Sequence, residues 1–447
     1  MAYYDSAMPE NQILNENPTA DLEIERLAYQ GYGVARQEGL VHFVQGGLPG
    51  ERVRAQVVRR GARVAFAEMR AVVRPSPRRV VPPCPVFGRC GGCQFLHAEY
   101  PLQVEAKAQF ARDAFRRRPE DAARVRACRP ADCPFRFRNR MSYSIGATDR
   151  GAVVGLHERG RTDALCDAHS CVIAPAWHSE VLDRTAAVLN AFDDTTRWPQ
   201  RLDLRESRRT GQRLATLSPP PPPDLARQWL DSCGSSLTSV VFREPLDLRG
   251  GAAAVYVAQG AGWIEERLDR WSFEVGPDTF FQTNTDAAEA LFRAAAGIVA
   301  EIEPARVIEL YAGVGALTVF LAAHSGEVLA IERHPPSVAA ARRNLRRNFT
   351  RNVRFHGGDA ADFRPDAVSE CADLVVVDPP RAGLDAGARA AVAAWNPPWV
   401  LYISCDPMTL ARDVEMLGRH GYRLNCVWPF DLFPQTFHVE CLALLEK

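Results

Sequence analysis

The chain has 447 residues, too many for one ordinary domain, and a prior of roughly 150 residues per domain gives two or three. Its hydrophobic fraction of 47% and charged fraction of 24% are those of a soluble globular protein, and no apolar run is long enough for a membrane span. Arg and Lys balance Asp and Glu at 54 each, but Arg52 to Arg140 holds 21 basic residues against 7 acidic ones, the local asymmetry of a nucleic-acid binder. Lys occurs only at positions 107 and 447, so genome composition is a second source of the Arg weight.

Met1 to Ala20 is polar, without the basic start and apolar stretch of a secretion signal, and reads as a disordered tail on a cytoplasmic protein. In that compartment the 12 cysteines point to metal binding or catalysis rather than disulfides. From Asp21 to Pro75, short alternating runs such as Leu40-Val41-His42-Phe43-Val44 and Arg52-Val53-Arg54-Ala55 are separated by glycine turns. That pattern predicts a small antiparallel barrel of the OB kind, a fold that binds single-stranded nucleic acid. Pro75-Ser76-Pro77 and Pro82-Pro83 mark a boundary, followed by a cysteine-rich loop and a helix over about Glu99 to Arg118. The stretch 76–269 reads as a central α+β domain, with Pro219 to Pro223 as an exposed proline spacer. From 270 to 447 strands and helices alternate. Arg306 to Tyr311 is a buried strand running into Ala312-Gly313-Val314-Gly315 and an apolar helix, and further strands lie at Glu327 to Glu332, Val353 to Phe355, Asp373 to Asp378 and Trp399 to Ser404. Two more close the chain, near Leu424 to Val427 and His438 to Leu445. This is a doubly wound parallel sheet, whose ligands sit at the carboxyl ends of the strands.

The chemistry-bearing residues fall at those ends. Gly313 and Gly315 let backbone approach a ligand, and Glu332, ending the next strand, suits ribose hydroxyls. Thr318 stands where a dinucleotide fingerprint wants a third glycine, which favours S-adenosylmethionine over a nicotinamide cofactor. Asp378-Pro379-Pro380-Arg381 resembles the Pro-Pro turn of amino-methyltransferases, but Arg381 replaces the aromatic residue that stacks on their substrates. Ser404-Cys405-Asp406-Pro407 puts a thiol between a buried strand and a helix. The positive end of that helix is expected to lower the thiol pKa, making Cys405 a nucleophile. Such a thiolate is needed to methylate carbon 5 of uracil, which is inert until a nucleophile adds to carbon 6, and Glu440 is a carboxylate placed to remove the carbon-5 proton afterwards. Cys84, Cys90 and Cys93, with Gly91-Gly92 between the last two, form a metal-site pattern lacking one donor. Cys128, Cys133, Cys166 and Cys171 all qualify by spacing, and spacing does not choose between zinc and iron–sulfur. Arg136, Arg138 and Arg140 are candidate phosphate contacts, with a solvated basic face as the plainer reading.

The Gly-Gly-Cys-Gln run, Phe281-Gln282-Thr283-Asn284, Leu310-Tyr311-Ala312-Gly313-Val314-Gly315, Asp378-Pro379-Pro380-Arg381, Ser404-Cys405-Asp406-Pro407 and the closing His438-Val439-Glu440 occur together and in order. In this the chain resembles the TRAM-domain uracil-5 RNA methyltransferases, a group that includes iron–sulfur enzymes of large-subunit ribosomal RNA. The resemblance covers Asp21 to Lys447. It implies a TRAM barrel over 21–75, a central domain carrying a four-cysteine cluster, and a class I, Rossmann-like methyltransferase domain against which the helix at 99–118 packs. It implies Cys405 as nucleophile and Glu440 as base, and Gln282, Tyr311, Glu332, Asp359 and Asp378 around S-adenosylmethionine. Cys84, Cys90, Cys93 and Cys171 would hold a 4Fe-4S cluster. The expected partner is RNA, 23S ribosomal RNA before tRNA, with the protein acting as a monomer away from membranes. Ala316 departs from members that place Asn there, so no cofactor contact is carried over for it. An amino-methyltransferase built on Asp378-Pro379-Pro380 and a non-catalytic RNA-binding protein are the competing readings.

Overall fold

A computed structural model gives the structure, which describes residues 18–245, 254–362 and 372–447. Most of the expected N-terminal tail lies outside these residues, although Thr19 and Ala20 already belong to the first strand. That strand, β1 (Thr19–Glu23), opens a six-stranded sheet with β2 (Arg26–Ala28), β3 (Tyr32–Gln37), β4 (Leu40–Gln45), β5 (Arg52–Arg60) and β6 (Val64–Arg74), in the order β1-β5-β6-β4-β3-β2. In β5 the pleat turns Val53, Ala55 and Val57 inward and Arg52 and Arg54 outward. The inward side chains meet Leu22, Ile24, Val44 and Ala67 in one small core. The amide of Glu25 donates to the carbonyl of Val34 at 2.8 Å, which ties the end of β1 to β3 and curls the sheet on itself. One pair corrects the expected all-antiparallel barrel: β4 and β6 run parallel, because the chain crosses over through β5 before returning.

The central sheet takes β7 (Arg140–Thr148), β8 (Gly151–His157), β9 (Leu165–Asp167), β10 (Arg201–Glu206), β11 (Arg213–Ser218), β12 (Ser239–Arg243) and β13 (Val255–Gln259), ordered β13-β12-β11-β10-β7-β8-β9. Residues Tyr143, Leu202, Leu204 and Leu217 pack it against two of the chain's helices, Trp177–Asn190 and Pro223–Cys233. The five prolines at 219–223 are no exposed spacer. Pro221 is buried and Pro223 starts the second of these helices, where a missing N–H does no harm.

A hairpin, β14 (Ile264–Leu268) with β15 (Trp271–Val275), leads into the C-terminal body and shares its core through Leu268, Phe273 and Val275, so a division at 270 cuts this hairpin. The sheet of that body comprises β16 (Arg306–Leu310), β17 (Glu327–Glu332), β18 (Val353–Gly357), β19 (Leu374–Val377), β20 (Trp399–Ser404), β21 (Arg423–Phe430) and β22 (Glu440–Glu446). Its order is β18-β17-β16-β19-β20-β22-β21, with the first five parallel and β22 antiparallel between β20 and β21. Strand β19 shows why both faces must be covered: Leu374 and Val376 belong to the core on one side, Val375 and Val377 to the core on the other.

Among the described residues the α-helices, in chain order, are α1 (Tyr100–Ala114), α2 (Pro119–Ala122), α3 and α4 of the central domain as above, α5 (Thr285–Ile302), α6 (Ala316–Ala322), α7 (Pro335–Arg347), α8 (Ala386–Trp395) and α9 (Pro407–Gly418). Helices α5, α6 and α7 cover one face of the C-terminal sheet and α8 and α9 the other. Helix α1 joins the second layer through Ala108 and Ala111, with Phe115 just past its end, although it precedes the central sheet in sequence. Beyond it the chain runs along β21, with bridges at Val125 to Val427 and Arg129 to Phe430. Among the described residues no helix is long and apolar enough to cross a membrane.

Candidate active site

The first parallel strand sets the site. At its end Tyr311 takes φ 65°, a left-handed conformation that costs a non-glycine residue roughly 1–2 kcal/mol, and Gly313 and Gly315 follow at φ 57° and 80°. This turn lets α6 begin at Ala316 and leaves the backbone facing a cleft: a Cβ on Gly313 would have no atom within 4 Å. The cleft holds about 50 Å³ and is lined by Gln282, Glu309, Tyr311, Gly313, Ala316 and Asp378, with Phe280 and Phe281 at one side. Glu332 is not among the residues that line it but braces the glycine turn from behind, accepting from the Gly313 amide at 2.9 Å and the His334 amide at 2.7 Å. Asp359 does not line the cleft. It sits past the edge strand β18, and its carboxylate accepts from Arg333 at 3.1 Å and the Ala361 amide at 3.0 Å.

Glu309 was missed by the sequence reading. It lies inside β16 at 2% exposure, and its Oε2 has no hydrogen-bond partner among the described residues. Burial pushes its pKa up to about 8, with the nearby Thr318 hydroxyl acting weakly the other way. The signal was available: it is the one carboxylate between Arg306 and Tyr311, in a strand otherwise apolar.

Cys405 and Glu440 are brought together by strand pairing. Antiparallel β20 and β22 set Ser404 opposite Cys441, and the next step of that register carries Cys405 to the level of Glu440. Glu440 is 2% exposed, and burial together with the Asp378 carboxyl raises its pKa. Asp378 therefore belongs to both halves of the site, since it lines the cleft and acts on Cys405 and Glu440. The helix after Cys405 starts as expected, with the Asp406 side chain capping it through the Met408 amide at 2.8 Å. Its effect on the thiol is not the expected one. Burial, and then the neighbouring Glu440, push Cys405 up to about 12, against which Arg381 is the cation that lowers it. Desolvation and like charge outweigh a helix dipole that supplies roughly 1 kcal/mol or less. Arg381 also lies 3.5 Å from Nε2 of His438, whose pKa falls to about 3 through burial and that cation.

Cys84, Cys90, Cys93 and Cys171 line a separate cavity of about 200 Å³ between the cysteine loop and the central sheet, and Cys166 lines it too. Among the described residues no three His, Cys, Asp or Glu side chains converge closely enough to hold a single metal ion. Burial raises the thiol pKa values of Cys90 and Cys171, and that of Cys93 to about 12. Arg138 faces the same cavity, its Nε buried and without a partner among the described residues. This corrects the reading of Arg138 as a phosphate contact. Arg140 is likewise drawn inside, 3.8 Å from Asp203, and Arg136 alone of the three is exposed.

The strand order with its antiparallel β22, the glycine turn after the first strand and the acidic cleft beside it define a class I methyltransferase, built to bind S-adenosylmethionine. Comparison with known proteins makes this particular. Residues 263–447 match the family model described as tRNA (Uracil-5-)-methyltransferase, and residues 15–69 match the TRAM domain. An RNA methyltransferase of Gloeobacter violaceus is 36% identical over 97% of this chain and 98% of its own length, and one of Thermosynechococcus vestitus is 32% identical over 97% and 99%. Among solved structures, the Pyrococcus abyssi tRNA (uracil-54, C5)-methyltransferase in complex with S-adenosyl-L-homocysteine shares the fold with TM-score 0.74 and 24% identity, covering 95% of this chain and 100% of that one. The chain belongs to the uracil-5 RNA methyltransferase family and is an S-adenosylmethionine-dependent RNA methyltransferase.

Proposed function

We propose that the protein methylates carbon 5 of a loop uridine in structured RNA through a transient bond between Cys405 and carbon 6 of the base. One observation carries this reading: a thiol and a carboxyl on neighbouring strands, Cys405 and Glu440, share the carboxyl Asp378 with the cofactor cleft. Cys405 first gives its proton to solvent, and addition of the resulting thiolate Sγ to carbon 6 moves the C5=C6 electron pair toward the C4 carbonyl, giving an enolate whose carbon 5 is nucleophilic. S-adenosylmethionine bound in the cleft supplies the methyl group on a sulfonium. Once carbon 5 is methylated, the Glu440 carboxylate takes its proton, the C5=C6 bond reforms, and Sγ departs with the S–C6 electron pair. Arg381 favours the thiolate at both ends of this sequence.

Gln282, Tyr311, Glu332 and Asp378 would surround the cofactor, with Asp359 joining only if it leaves Arg333. Glu309, lining the cleft with Oε2 unpartnered among the described residues, suits the ligand's ammonium group. Cys84, Cys90, Cys93 and Cys171 would hold a 4Fe-4S cluster. Support comes from four thiols lining one cavity, and from the Arg138 guanidinium available to offset the negative charge of four thiolates. Bound there, the cluster would supply a cross-link between the cysteine loop and the central sheet.

The barrel is suited to gripping RNA. Tyr32, Phe43 and Phe66 form an aromatic group in which Phe43 and Phe66 stack at 5.4 Å, with Arg59 over Phe66 at 4.5 Å. Phe280, 62% exposed at the cleft, offers a second surface for a base turned out of its stack. The reading of 23S ribosomal RNA as the target rests on the resemblance of the cysteine run to the iron–sulfur members of the family. The tRNA reading rests on the family description and on the Pyrococcus abyssi protein. Mapping 5-methyluridine in both RNAs from a strain lacking the gene separates them. For the mechanism, RNA carrying 5-fluorouridine has no proton to lose and is expected to trap an adduct that peptide mapping places on Cys405. Full methyl transfer by Cys405→Ala would end the covalent reading.

A further inference from the structure

Between β21 and β22 the chain passes from Asp431 to Val439 without helix or strand and ends on Glu440, and much of what holds this passage comes from outside the C-terminal body. Lys107 of α1, fully buried, pairs with the buried Asp431 and donates to the Phe433 carbonyl at 2.9 Å. The Tyr29 ring of the barrel meets Phe437 edge-on at 5.2 Å. Gln435 is the centre of this arrangement. It is 2% exposed and holds φ 68°, a strained left-handed backbone for a residue with a side chain. Its amide donates to Gln103 Oε1 at 3.0 Å, and its Oε1 accepts from Gln103 Nε2 at 2.9 Å. Its Nε2 donates to the Pro134 carbonyl at 3.3 Å. Its carbonyl accepts from the amides of Gln94 and Phe95 at 3.0 and 2.9 Å, directly after Cys93. All of its polar atoms are engaged, and a left-handed backbone is what lets them reach three separate segments at once.

We propose that Gln435 is a positioning residue for Glu440, coupling the cysteine loop and α1 to the removal of the carbon-5 proton rather than to methyl transfer. The inference rests on the reading of Glu440 as base. The segment's outside supports converge before Glu440, whereas Cys405 and the cleft are fixed by β20, α9 and β16, with which Gln435 shares no hydrogen bond. Loosening it therefore lets Glu440 drift while the thiol and the cofactor stay in place, and misplacing a proton acceptor by about 1 Å slows its step on the order of a hundredfold.

The test is a single-turnover assay with methyl-labelled S-adenosylmethionine and the full-length protein, following denaturation-stable protein–RNA adduct and free methylated RNA separately. Gln435→Gly removes the side-chain bonds and relieves the backbone strain. Gln103→Ala serves should the first variant fold poorly: it removes the Nε2–Oε1 bond from the other partner and the acceptor of the Gln435 backbone amide, and leaves the bond to Pro134. Labelled adduct is expected to form within about threefold of the parent rate and then to persist, with release of free RNA slowed about tenfold or more. Formation and release slowed in proportion, or a lowered melting temperature without adduct, would overturn the proposal. Glu440→Gln in the same assay separates the two ideas: if it accumulates adduct and neither Gln variant does, the positioning role alone fails, and if it accumulates none, the base assignment fails first.

Discussion

At pH 7 the free protein presents Cys405 as a thiol, because burial and Glu440 lift its pKa from about 9 to about 12. Each pH unit below that value lowers the thiolate fraction about tenfold, so alkylation of Cys405, read peptide by peptide, should be slow at pH 7 and climb steadily toward pH 10. Glu440→Gln removes a like charge and is expected to move that climb to lower pH; an unmoved profile would show that Glu440 does not act on the thiol. Glu309 allows a thermodynamic prediction of defined sign. Its folded pKa of about 8 exceeds its ordinary value of 4.5, so its stabilising contribution is complete below about pH 4.5 and is lost as pH rises through 8. Glu309→Gln should accordingly match the parent in melting temperature near pH 5 and exceed it near pH 9. The same substitution should weaken S-adenosylmethionine about tenfold by calorimetry near pH 9, where a carboxylate facing an ammonium is replaced by a neutral amide.

Among the elements, α1 has the largest consequence. It contributes Ala108 and Ala111 to the C-terminal core, with Phe115 just past its end, and Lys107 to a buried ion pair with Asp431. Lys107→Ala leaves Asp431 buried without its cation and should cost about 3–5 kcal/mol in denaturant unfolding. A double change, Lys107→Met with Asp431→Leu, removes both charges and is expected to recover most of that loss; equal destabilisation by single and double variants would show that packing, not charge, is responsible. The expectation of a helix at 99–118 was close, because Ala106, Lys107, Phe110 and Ala111 follow a helical period. Its side of the molecule was not readable from that period, since the partners Asp431 and Gln435 lie more than 300 positions away.

At the scale of the whole molecule, RNA must reach from the barrel to the cleft, and substitutions at the two ends should differ in kind. Phe43→Ala or Arg59→Ala should raise KM for RNA several-fold while leaving cofactor affinity unchanged, and Arg59→Ala alone should also flatten the salt dependence. Phe280→Ala should instead lower kcat for the target uridine. Cys171→Ser in anaerobically purified protein is expected to lose iron, sulfide and visible absorbance together; unchanged iron content would remove Cys171 from the cluster.

Much of the fold was written locally. Alternation in β5, the glycine turn after Leu310, the apolar run of β19 and the Asp406 cap each follow from side-chain pattern and turn chemistry within a few residues, so the barrel, the parallel sheet and the cofactor cleft were legible, as was the pairing of Cys405 with a strand end. What sequence could not supply is environment. Whether Cys405 is a thiol, whether Arg138 meets RNA or a cavity of cysteines, whether Pro219 to Pro223 is a spacer or a helix start, and whether Glu309 is idle or turned toward a ligand all depend on desolvation and on contacts between distant segments. Local pattern fixes where a strand runs, but burial and long-range charge are properties of the packed molecule, and they decided the chemical state of Cys405, Glu440 and Glu309.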